Sequence, residues 1–366
     1  MIFSRPSSRI AVIGSGPAGL YLTSAVLRRS SNAVVDVFDK SPVPFGLVRY
    51  GVAPDHPEVK NCTHQFDRLF NENRHRLSLY CNVGVGSDIS FEELRRQYDI
   101  VALAYGANRP RNLNIPGVYE ADNCYSGSEF VSWYNGVPGA KHPKLDCENV
   151  VIIGNGNVAL DCARILLSSR ERLAKTDVPE SILNEFDNSN VTDVYIVGRR
   201  GPLDPLRVLN DSSGRVTAIE FTDSRSGEIR RIPCGLLIYS IGFENIILDG
   251  VPRTEDGSAI AMNDFCRVDT ETGGASVYAV GWCANKPQGV IANTQNDAVA
   301  VAHEICADIE ASSKNPPRYS PKMEVFLKER GVHFVTWEQW KKIDEKEQQI
   351  GKTAGKDREK VLEFDI

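Results

Sequence analysis

A glycine-rich segment near the start of the chain has the residue types and spacing that bind a dinucleotide. It runs from Gly14 to Gly19, with a third glycine at position 16, and follows the apolar run Arg9–Ile13. Gly14 permits a tight turn from strand to helix, Gly16 lets the backbone approach a pyrophosphate, and Gly19 lets the helix pack against the strand. The free N–H groups at the helix N terminus would bind the phosphates. The motif therefore predicts a nucleotide site rather than a plain turn.

One acidic residue helps to choose the nucleotide. The chain predicts a helix over Leu20–Arg29 and then a second strand over Val34–Phe38, which is a βαβ unit. Asp39 follows Gly19 by about 20 residues, at the end of that strand, where a carboxylate can accept hydrogen bonds from both ribose hydroxyls. A carboxylate there repels a 2′-phosphate, so the first site suits FAD or NAD better than NADP.

A second motif of the same kind lies in the middle of the chain. It follows the apolar run Asn149–Ile153 and leads into a helix over Leu160–Ser168. The motif consists of Gly154, Asn155, Gly156, Asn157, Val158 and Ala159. The next predicted strand, Thr192–Val197, is followed by Arg199 and Arg200 instead of an acid. Because guanidinium groups pair bidentately with phosphate, the second site is predicted to select NADP over NAD.

Composition places both motifs in an ordinary globular protein. The chain has 366 residues, of which 42% are hydrophobic and 25% are charged, which suits about two domains. The net charge of −6, from 48 acidic and 42 basic residues, gives no overall basic field for nucleic acid or an anionic membrane. No apolar run reaches the roughly 18 residues of a membrane-spanning helix, so no transmembrane segment is expected.

The nine cysteines narrow the chemistry further. They include no Cys-x-x-Cys pair, and the histidines form no cluster at metal-ligand spacing, so no metal site is predicted. The cysteines are interpreted as mostly reduced, buried thiols of an intracellular protein. The missing pair also argues against a disulfide reductase built on similar paired domains. The first nine residues, with two arginines, three serines and no acid, fit either the end of an organelle transit peptide or a solvated tail.

A long segment after the first motif resembles the signature of a known family. From Pro44 to Asn61 the sequence PFGLVRYGVAPDHPEVKN is similar to that of the adrenodoxin reductase family of ferredoxin–NADP reductases. The similarity runs from Ile10 to about Leu203 and resumes at about Arg231. The resemblance implies that the first motif binds FAD and the second NADP, and that electrons pass from NADPH through the flavin to a [2Fe–2S] ferredoxin of the adrenodoxin type. It also implies a mitochondrial location.

The resemblance assigns individual residues to the two cofactors. His56 and Trp282 are the candidate catalytic residues near the flavin, although a loop histidine such as His56 also fits a structural hydrogen bond. The candidates for FAD binding are Gly14, Gly16, Ala18, Gly19, Asp39, Leu47, Val85, Trp282, Gly289, Val290 and Ile291. The candidates for NADP binding are Gly154, Asn155, Gly156, Asn157, Val158, Ala159, Arg199, Arg200 and Gly289. Lys286 stands where the family has glycine, and its bulk would narrow the approach of the nicotinamide to the flavin.

After Leu203 the chain departs from the family. Relatives continue through a long helical and loop section that supplies a glutamate near the nicotinamide, whereas this chain passes to Asp204–Leu206 and a turn over Asn210–Gly214. Two alternating runs, Arg215–Phe221 and Gly227–Ile232, then predict a hairpin. The missing section leaves two hypotheses open: an active reductase, or a shortened, catalytically weak or silent isoform that binds flavin and NADP.

These features predict a fold of two doubly wound α/β domains with Rossmann-like dinucleotide sites. The FAD domain is expected to be discontinuous, with residues 1–106 and 278–366, and the shortened NADP domain to occupy residues 107–277. The lysine-rich tail, Gly331–Lys360, fits either a surface for an acidic ferredoxin or plain solvated surface.

Overall fold

The structure, a computed structural model, describes residues 8–107, 109–198, 203–270, 274–285, 291–312 and 322–364. The first part of the chain has strands β1 (Ser8–Ile13), β2 (Ala33–Asp39), β3 (Leu77–Cys81) and β4 (Ile100–Leu103). Its helices are α1 (Pro17–Arg29), α2 (Leu47–Tyr50), α3 (Pro57–Lys60), α4 (Cys62–Glu72) and α5 (Phe91–Gln97). The predicted βαβ unit is β1–α1–β2. Helix α1 begins earlier than predicted because Pro17, with its preset φ and no N–H, suits the first turn of a helix.

The middle part of the chain forms a second set of elements. Its strands are β5 (Arg109–Pro110), β6 (Cys124–Ser126), β7 (Asn149–Ile153), β8 (Asp193–Val197), β9 (Leu203–Asn210), β10 (Val216–Asp223), β11 (Ile229–Pro233), β12 (Leu236–Tyr239) and β13 (Phe243–Glu244). Its helices are α6 (Gly127–Tyr134), α7 (Asn157–Leu166), α8 (Arg170–Leu173) and α9 (Glu180–Asp187). The second glycine motif lies between β7 and α7, as predicted. Ser126 and Glu129 form a capping box that starts α6.

The last part of the chain returns to the first. It contributes β14 (Ser276–Ala279), a 3₁₀ turn at Gly281–Cys283, and helices α10 (Ile291–Ser312), α11 (Met323–Glu329) and α12 (Trp337–Thr353). Trp337, at the start of α12, stacks on Phe70 of α4 with ring centroids 4.3 Å apart. Such a pair stabilises the fold by about 0.5–1.5 kcal/mol beyond the burial of its area. This contact holds the C-terminal helix against the first part of the chain.

Two parallel sheets carry the two glycine motifs. The first has the order β14–β4–β1–β2–β3, and the second β6–β12–β7–β8. In each sheet the strand before the motif, β1 or β7, is flanked by strands on both sides. Both motifs therefore lie at the carboxyl edge of a parallel sheet, where open α/β sheets bind their ligands. The predicted fold class is confirmed. The domain limits stay a prediction, and the limit at 277/278 falls within β14.

Strand β9 was not predicted from the sequence. It pairs antiparallel with β10, so the predicted hairpin of β10 and β11 becomes a three-stranded sheet of order β11–β10–β9. Pro205 lies inside β9, and a proline argues against a central strand because it has no N–H to donate. Here β9 is an edge strand, so one side of its backbone needs no partner. The register also shifts opposite Leu206, between Glu220 and Phe221.

Two short strands join the two parallel-sheet regions. The chain leaves the first region through β5 and comes back through β13, and these strands pair antiparallel, with Pro110 opposite Phe243 and Arg109 opposite Glu244. The two chain segments that connect the parallel-sheet regions are therefore hydrogen-bonded to each other. Within the described ranges, no helix has both the length and the apolar character needed to cross a bilayer.

Candidate cofactor sites

The first glycine motif has the backbone geometry that a dinucleotide needs. Gly14 has a φ of +116°, and a Cβ there would lie 2.4 Å from the carbonyl oxygen of Ala104, so only glycine fits. A Cβ on Gly19 would lie 2.0 Å from the carbonyl oxygen of Gly14, which explains how α1 packs so close to the turn. A Cβ on Gly16 would meet no atom within 4 Å. Packing therefore does not require glycine at position 16, and the open cradle there fits a pyrophosphate at the N terminus of α1.

Asp39, at the end of β2, also braces this motif. Its Oδ2 accepts hydrogen bonds from the backbone N–H of Ser15 at 2.8 Å and from the Ser15 hydroxyl at 2.6 Å. Its Oδ1 accepts one from the N–H of Ser41 at 2.9 Å. Each carboxylate oxygen can accept more than one hydrogen bond, and Asp39 is partly exposed, so the predicted contact to a ribose remains open to it. The role of Ser15 was missed, although its place inside the motif was visible in the sequence.

The signature loop packs directly on the first motif. The N–H of Phe45 donates to the carbonyl oxygen of Ser15 at 3.1 Å. A Cβ on Gly46 would lie 3.3 Å from the Cα of Gly16. Leu47, the first residue of α2, is 45% exposed, which leaves its side chain free to contact a ligand. The loop therefore forms a second wall beside the cradle of Gly16.

The last part of the chain supplies a third wall. A Cβ on Gly281 would lie 2.6 Å from the Cβ of Ala18, so the 3₁₀ turn touches the first turn of α1. Trp282, in that turn, is half-buried, and its ring centroid lies 6.4 Å from that of Phe243 on β13. Trp282 thus lies in the turn that touches the first motif, near the link to the second sheet, and its place beside the flavin stays a prediction.

The structure describes only two of the four remaining FAD candidates. Val85 is half-buried against a hydrophobic cluster of the first part of the chain, and Ile291 begins α10 and is partly buried. Gly289 and Val290 lie outside the described residues, as does the departure at Lys286.

The second motif repeats the geometry of the first. Gly154 has a φ of +118°, and a Cβ there would lie 2.1 Å from the carbonyl oxygen of Ser240. A Cβ on Gly156 would meet no atom within 4 Å, so the same open cradle lies at the N terminus of α7. Ala159, in the third position, is fully buried and packs the helix against the sheet. The second motif therefore also fits a pyrophosphate.

Polar residues of the second motif face solvent. Asn155 and Asn157 are exposed, and Val158 is half-buried. A Cβ on Gly198 would lie 2.8 Å from the Nδ2 of Asn155, so this amide lies over the end of β8. The two predicted phosphate-binding arginines, Arg199 and Arg200, lie outside the described residues.

His56 lies at a contact between the two nucleotide regions. Arg164, on α7, donates to both oxygens of Asp55, from Nε at 2.6 Å and from Nη2 at 2.9 Å. The same Nη2 lies 2.9 Å from Nε2 of His56 and 2.8 Å from Oδ1 of Asp161. Hydrogen bonds from Arg164 hold the pKa of the Asp55 carboxyl below its usual range. The sequence singled out His56, but Asp55, Asp161 and Arg164 were not among its candidates.

A buried ionic cluster forms a second contact between the same regions. Asp177 of the middle part binds Lys60 at 2.7 Å and Lys360 of the tail at 3.1 Å. Lys360 also donates to the carbonyl oxygen of Asn135 at 3.1 Å. Its side chain is fully buried, and burial lowers the pKa of Lys360 to about 7. Two ammonium groups therefore share one carboxylate.

The tail is only partly the lysine-rich surface that its sequence indicated. Lys356 and Lys360 are buried, and Lys356 donates to the carbonyl oxygen of Val178 at 2.6 Å. Lys342, Lys346 and Lys352 are exposed. The buried lysines fasten the tail to the middle part of the chain, so only the exposed ones can meet a partner.

The cysteines and acids offer no other reactive centre in the described residues. All nine cysteines are free, and burial raises the pKa of the Cys283 thiol to about 11. Within the described ranges, no group of histidine, cysteine, aspartate or glutamate has the geometry of a metal site.

Comparison with known proteins decides the family. Residues 8–302 match the family described as Pyridine nucleotide-disulphide oxidoreductase. The mitochondrial NADPH:adrenodoxin oxidoreductase of Drosophila melanogaster is 34% identical, over 98% of this chain and 92% of that protein. The protein of the same name from Homo sapiens is 33% identical, over 97% of this chain and 90% of its own length. The chain belongs to the adrenodoxin reductase family. It is therefore an oxidoreductase, and its predicted cofactors, FAD and NADP(H), are confirmed.

Solved structures agree with this placement in the adrenodoxin reductase family. Mycobacterium tuberculosis FprA in complex with NADPH is 26% identical and superposes with a TM-score of 0.88, over 97% of each chain. The T. acidophilum thioredoxin reductase, at 18% identity and a TM-score of 0.55, shares the fold alone.

The alignments also bear on the missing section. The alignment with the Drosophila protein spans 438 residues, which is more than the 366 residues of this chain. Relatives in the adrenodoxin reductase family therefore have positions without a counterpart here. That the gap follows Leu203 stays a prediction.

Proposed function

We propose that this chain takes two electrons from NADPH and delivers them one at a time, through FAD, to a [2Fe–2S] ferredoxin of the adrenodoxin type. The observation that carries the proposal is the pair of matched cradles at Gly16 and Gly156, each at the N terminus of a helix and the carboxyl edge of a parallel sheet. Bound FAD would supply the exchange between two-electron and one-electron transfer, which no side chain provides.

The residues of the first site would hold and orient the FAD. The N terminus of α1 would bind the pyrophosphate over Gly16, and Asp39 would accept hydrogen bonds from the ribose. The signature loop and the turn with Trp282 would enclose the flavin from two sides and restrict the access of water. His56 lies at the edge of this loop, on the side that faces α7.

The residues of the second site would bind NADPH and choose it over NADH. The N terminus of α7 would bind the pyrophosphate over Gly156. Arg199 and Arg200 would pair with the 2′-phosphate, which only NADPH carries.

The names of the relatives support the proposed partner and location. The Drosophila and human proteins are named as mitochondrial and as acting on adrenodoxin. A ferredoxin of that type in the mitochondrion is therefore the proposed acceptor, and the exposed Lys342, Lys346 and Lys352 are the candidates for contact with an acidic partner.

A second candidate function rests on the length of the alignments. Because relatives carry residues that this chain lacks, a shortened form that binds both nucleotides with little turnover is the alternative. Anaerobic titration of the purified yellow protein with NADPH distinguishes the two. Bleaching of the flavin band, followed by its recovery when oxidised [2Fe–2S] ferredoxin is added, supports the reductase. A flavin that stays oxidised while NADP⁺ still binds supports the silent form.

A further inference from the structure

Arg164 joins the two nucleotide regions by one side chain. It lies on α7, roughly 10 Å along the helix from its N terminus, given a rise of about 1.5 Å per residue. Its guanidinium reaches the signature loop, where two of its nitrogens each donate to one oxygen of Asp55, the bidentate pairing that suits a carboxylate. The Asp55 side chain is only 5% exposed. A bidentate pair whose carboxylate is buried restricts both the distance and the angle between α7 and the loop.

Arg164 also determines which nitrogen of His56 carries the proton in the neutral ring. A guanidinium has hydrogen-bond donors and no acceptor, so Nε2 of His56, 2.9 Å from Nη2 of Arg164, can only accept in this contact. One of the two N–H groups of Nη2 binds Asp55, and the other is shared between Nε2 of His56 and Oδ1 of Asp161, which lies 2.8 Å away. The proton then lies on Nδ1, which is 3.3 Å from Oε1 of Glu58 and can donate to it. The contact therefore orients the imidazole as well as the helix.

We propose that Arg164 is a positioning residue for electron transfer between the two nucleotides: through Asp55 it sets the α7 helix against the flavin loop, and through Nη2 it holds His56 as the Nδ1–H tautomer. This inference rests on the proposed function. It concerns the distance between the two cofactors. The N terminus of α7 would bind the NADPH pyrophosphate, and the signature loop lies beside the site proposed for FAD.

Other contacts between the regions do not replace this one. Arg172 also reaches Asp55, at 3.2 Å, but it lies on the separate helix α8 and its side chain is 59% exposed. The cluster of Lys60, Asp177 and Lys360 ties the regions through the tail and not through α7. When Arg164 is replaced, the other contacts should still hold the two regions together. Only α7, the helix that would bind the NADPH pyrophosphate, should be held less firmly.

The test compares two alanine variants, each of which removes an arginine that binds a carboxylate through two nitrogens. Arg164→Ala removes the proposed tie. Arg215→Ala is the control, because Arg215 is equally exposed, at 30%, and also binds one carboxylate, that of Asp146, through two nitrogens, but both partners lie in the middle part of the chain. Stopped-flow reduction by saturating NADPH should slow by roughly tenfold to a hundredfold in Arg164→Ala only, since about 1 Å of misplacement costs about that much. The Kd for NADPH and the oxidation of photoreduced protein by ferredoxin should hardly change.

A second readout does not depend on turnover. In ¹⁵N NMR spectra of the oxidised protein, the signals of His56, identified by their loss in His56→Gln, should show the Nδ1–H tautomer in the wild type and a tautomer mixture in Arg164→Ala. Arg164→Lys should restore part of the reduction rate, because it keeps the charge but not the forked geometry.

The outcomes separate this inference from the proposed function. Wild-type reduction rates in Arg164→Ala, or an unchanged His56 tautomer, would overturn the role of Arg164. If Arg164→Ala loses FAD or unfolds, Arg164→Lys decides by the same two readouts. If the wild type itself is not reduced by NADPH, the proposed function fails, and the tie is then judged by the NMR signals and by the NADP⁺-induced change in flavin absorption, which Arg164→Ala should abolish.

Discussion

The carboxylate of Asp39 binds Ser15 twice, through the backbone N–H at 2.8 Å and through the hydroxyl at 2.6 Å. The residue that would hold the ribose of FAD therefore also fixes the turn that would hold its pyrophosphate. Substitution of Asp39 should affect two parts of the cofactor at once, whereas substitution of Ser15 removes only one of the two hydrogen bonds.

We expect Asp39→Ala to weaken the retention of FAD more than Ser15→Ala. Loss of charge-assisted hydrogen bonds to the ribose costs about 1–3 kcal/mol, while loss of the single hydroxyl contact leaves the N–H contact in place. The FAD-to-protein ratio after dialysis, read from the flavin absorption, checks the order. Correctly folded wild-type protein that takes up no flavin would refute the FAD assignment.

Two glycines of the second motif should respond differently to alanine. Gly156 has a φ of −78° and open space at the Cβ position, so Gly156→Ala should fold normally but lose affinity for NADP⁺, because the methyl group occupies the phosphate cradle. Gly154 has a φ of +118° and would collide with Ser240, so Gly154→Ala should lower the unfolding temperature. Thermal unfolding with and without NADP⁺ separates the two effects. Unchanged NADP⁺ affinity in Gly156→Ala would remove this loop from the site.

The choice of coenzyme should depend on Arg199 and Arg200. Replacing both by alanine should weaken NADPH far more than NADH, because only NADPH offers the 2′-phosphate that a guanidinium can bind. Isothermal titration with both coenzymes measures the difference. Arg230→Ala, which removes an exposed guanidinium that pairs with Asp223, serves as a control for the loss of charge. Equal losses for NADPH and NADH would make the two arginines structural.

The sequence predicted local motifs but not contacts between distant parts of the chain. Both glycine motifs were predictable because all their residues lie close together in sequence, and because glycine suits the tight turn and the close approach of the backbone to a phosphate. Strand β9 was missed, since Pro205 argues against a strand unless that strand lies at an edge, which tertiary structure decides. The pair of Asp55 and Arg164 spans 109 residues of sequence. No local pattern indicates such a contact, so only the fold could reveal it.

Stability should rise with pH above neutrality because of Lys360. Burial beside Lys60 lowers the pKa of Lys360 to about 7, from about 10.4 in an unfolded chain. Below pH 7 both states bind the proton and the full cost of burying the charge is present. Above pH 7 the unfolded chain binds more protons, so the free energy of unfolding gains at most about 1.4 kcal/mol per pH unit from this group.

Urea unfolding at several pH values tests how the free energy of unfolding depends on pH. The values lie between about pH 6.5 and pH 9, roughly the range over which Lys360 titrates in the folded protein. Lys360→Met should flatten the rise, while Lys352→Met, at an exposed position of the same tail, should leave it as in the wild type. Part of the slope should remain, because burial also lowers the pKa of Lys60. An unchanged slope in Lys360→Met would show that another group is responsible.

The last prediction concerns the section that relatives have and this chain lacks. We expect slow reduction of the flavin by NADPH, because the resemblance to the family implies that the missing section supplies a glutamate near the nicotinamide and that Lys286 stands where relatives have a glycine, which would leave room for the ring. Transfer between the two cofactors requires near-attack geometry, and roughly 1 Å of displacement costs about a hundredfold in rate. Electron transfer from the flavin to a ferredoxin tolerates looser geometry and should be less affected. Stopped-flow reduction by NADPH, set beside the oxidation of photoreduced protein by ferredoxin, measures both steps, with Lys286→Gly as the variant that should recover part of the first. Reduction as fast as in full-length relatives would mean that the missing section is dispensable for placing the nicotinamide.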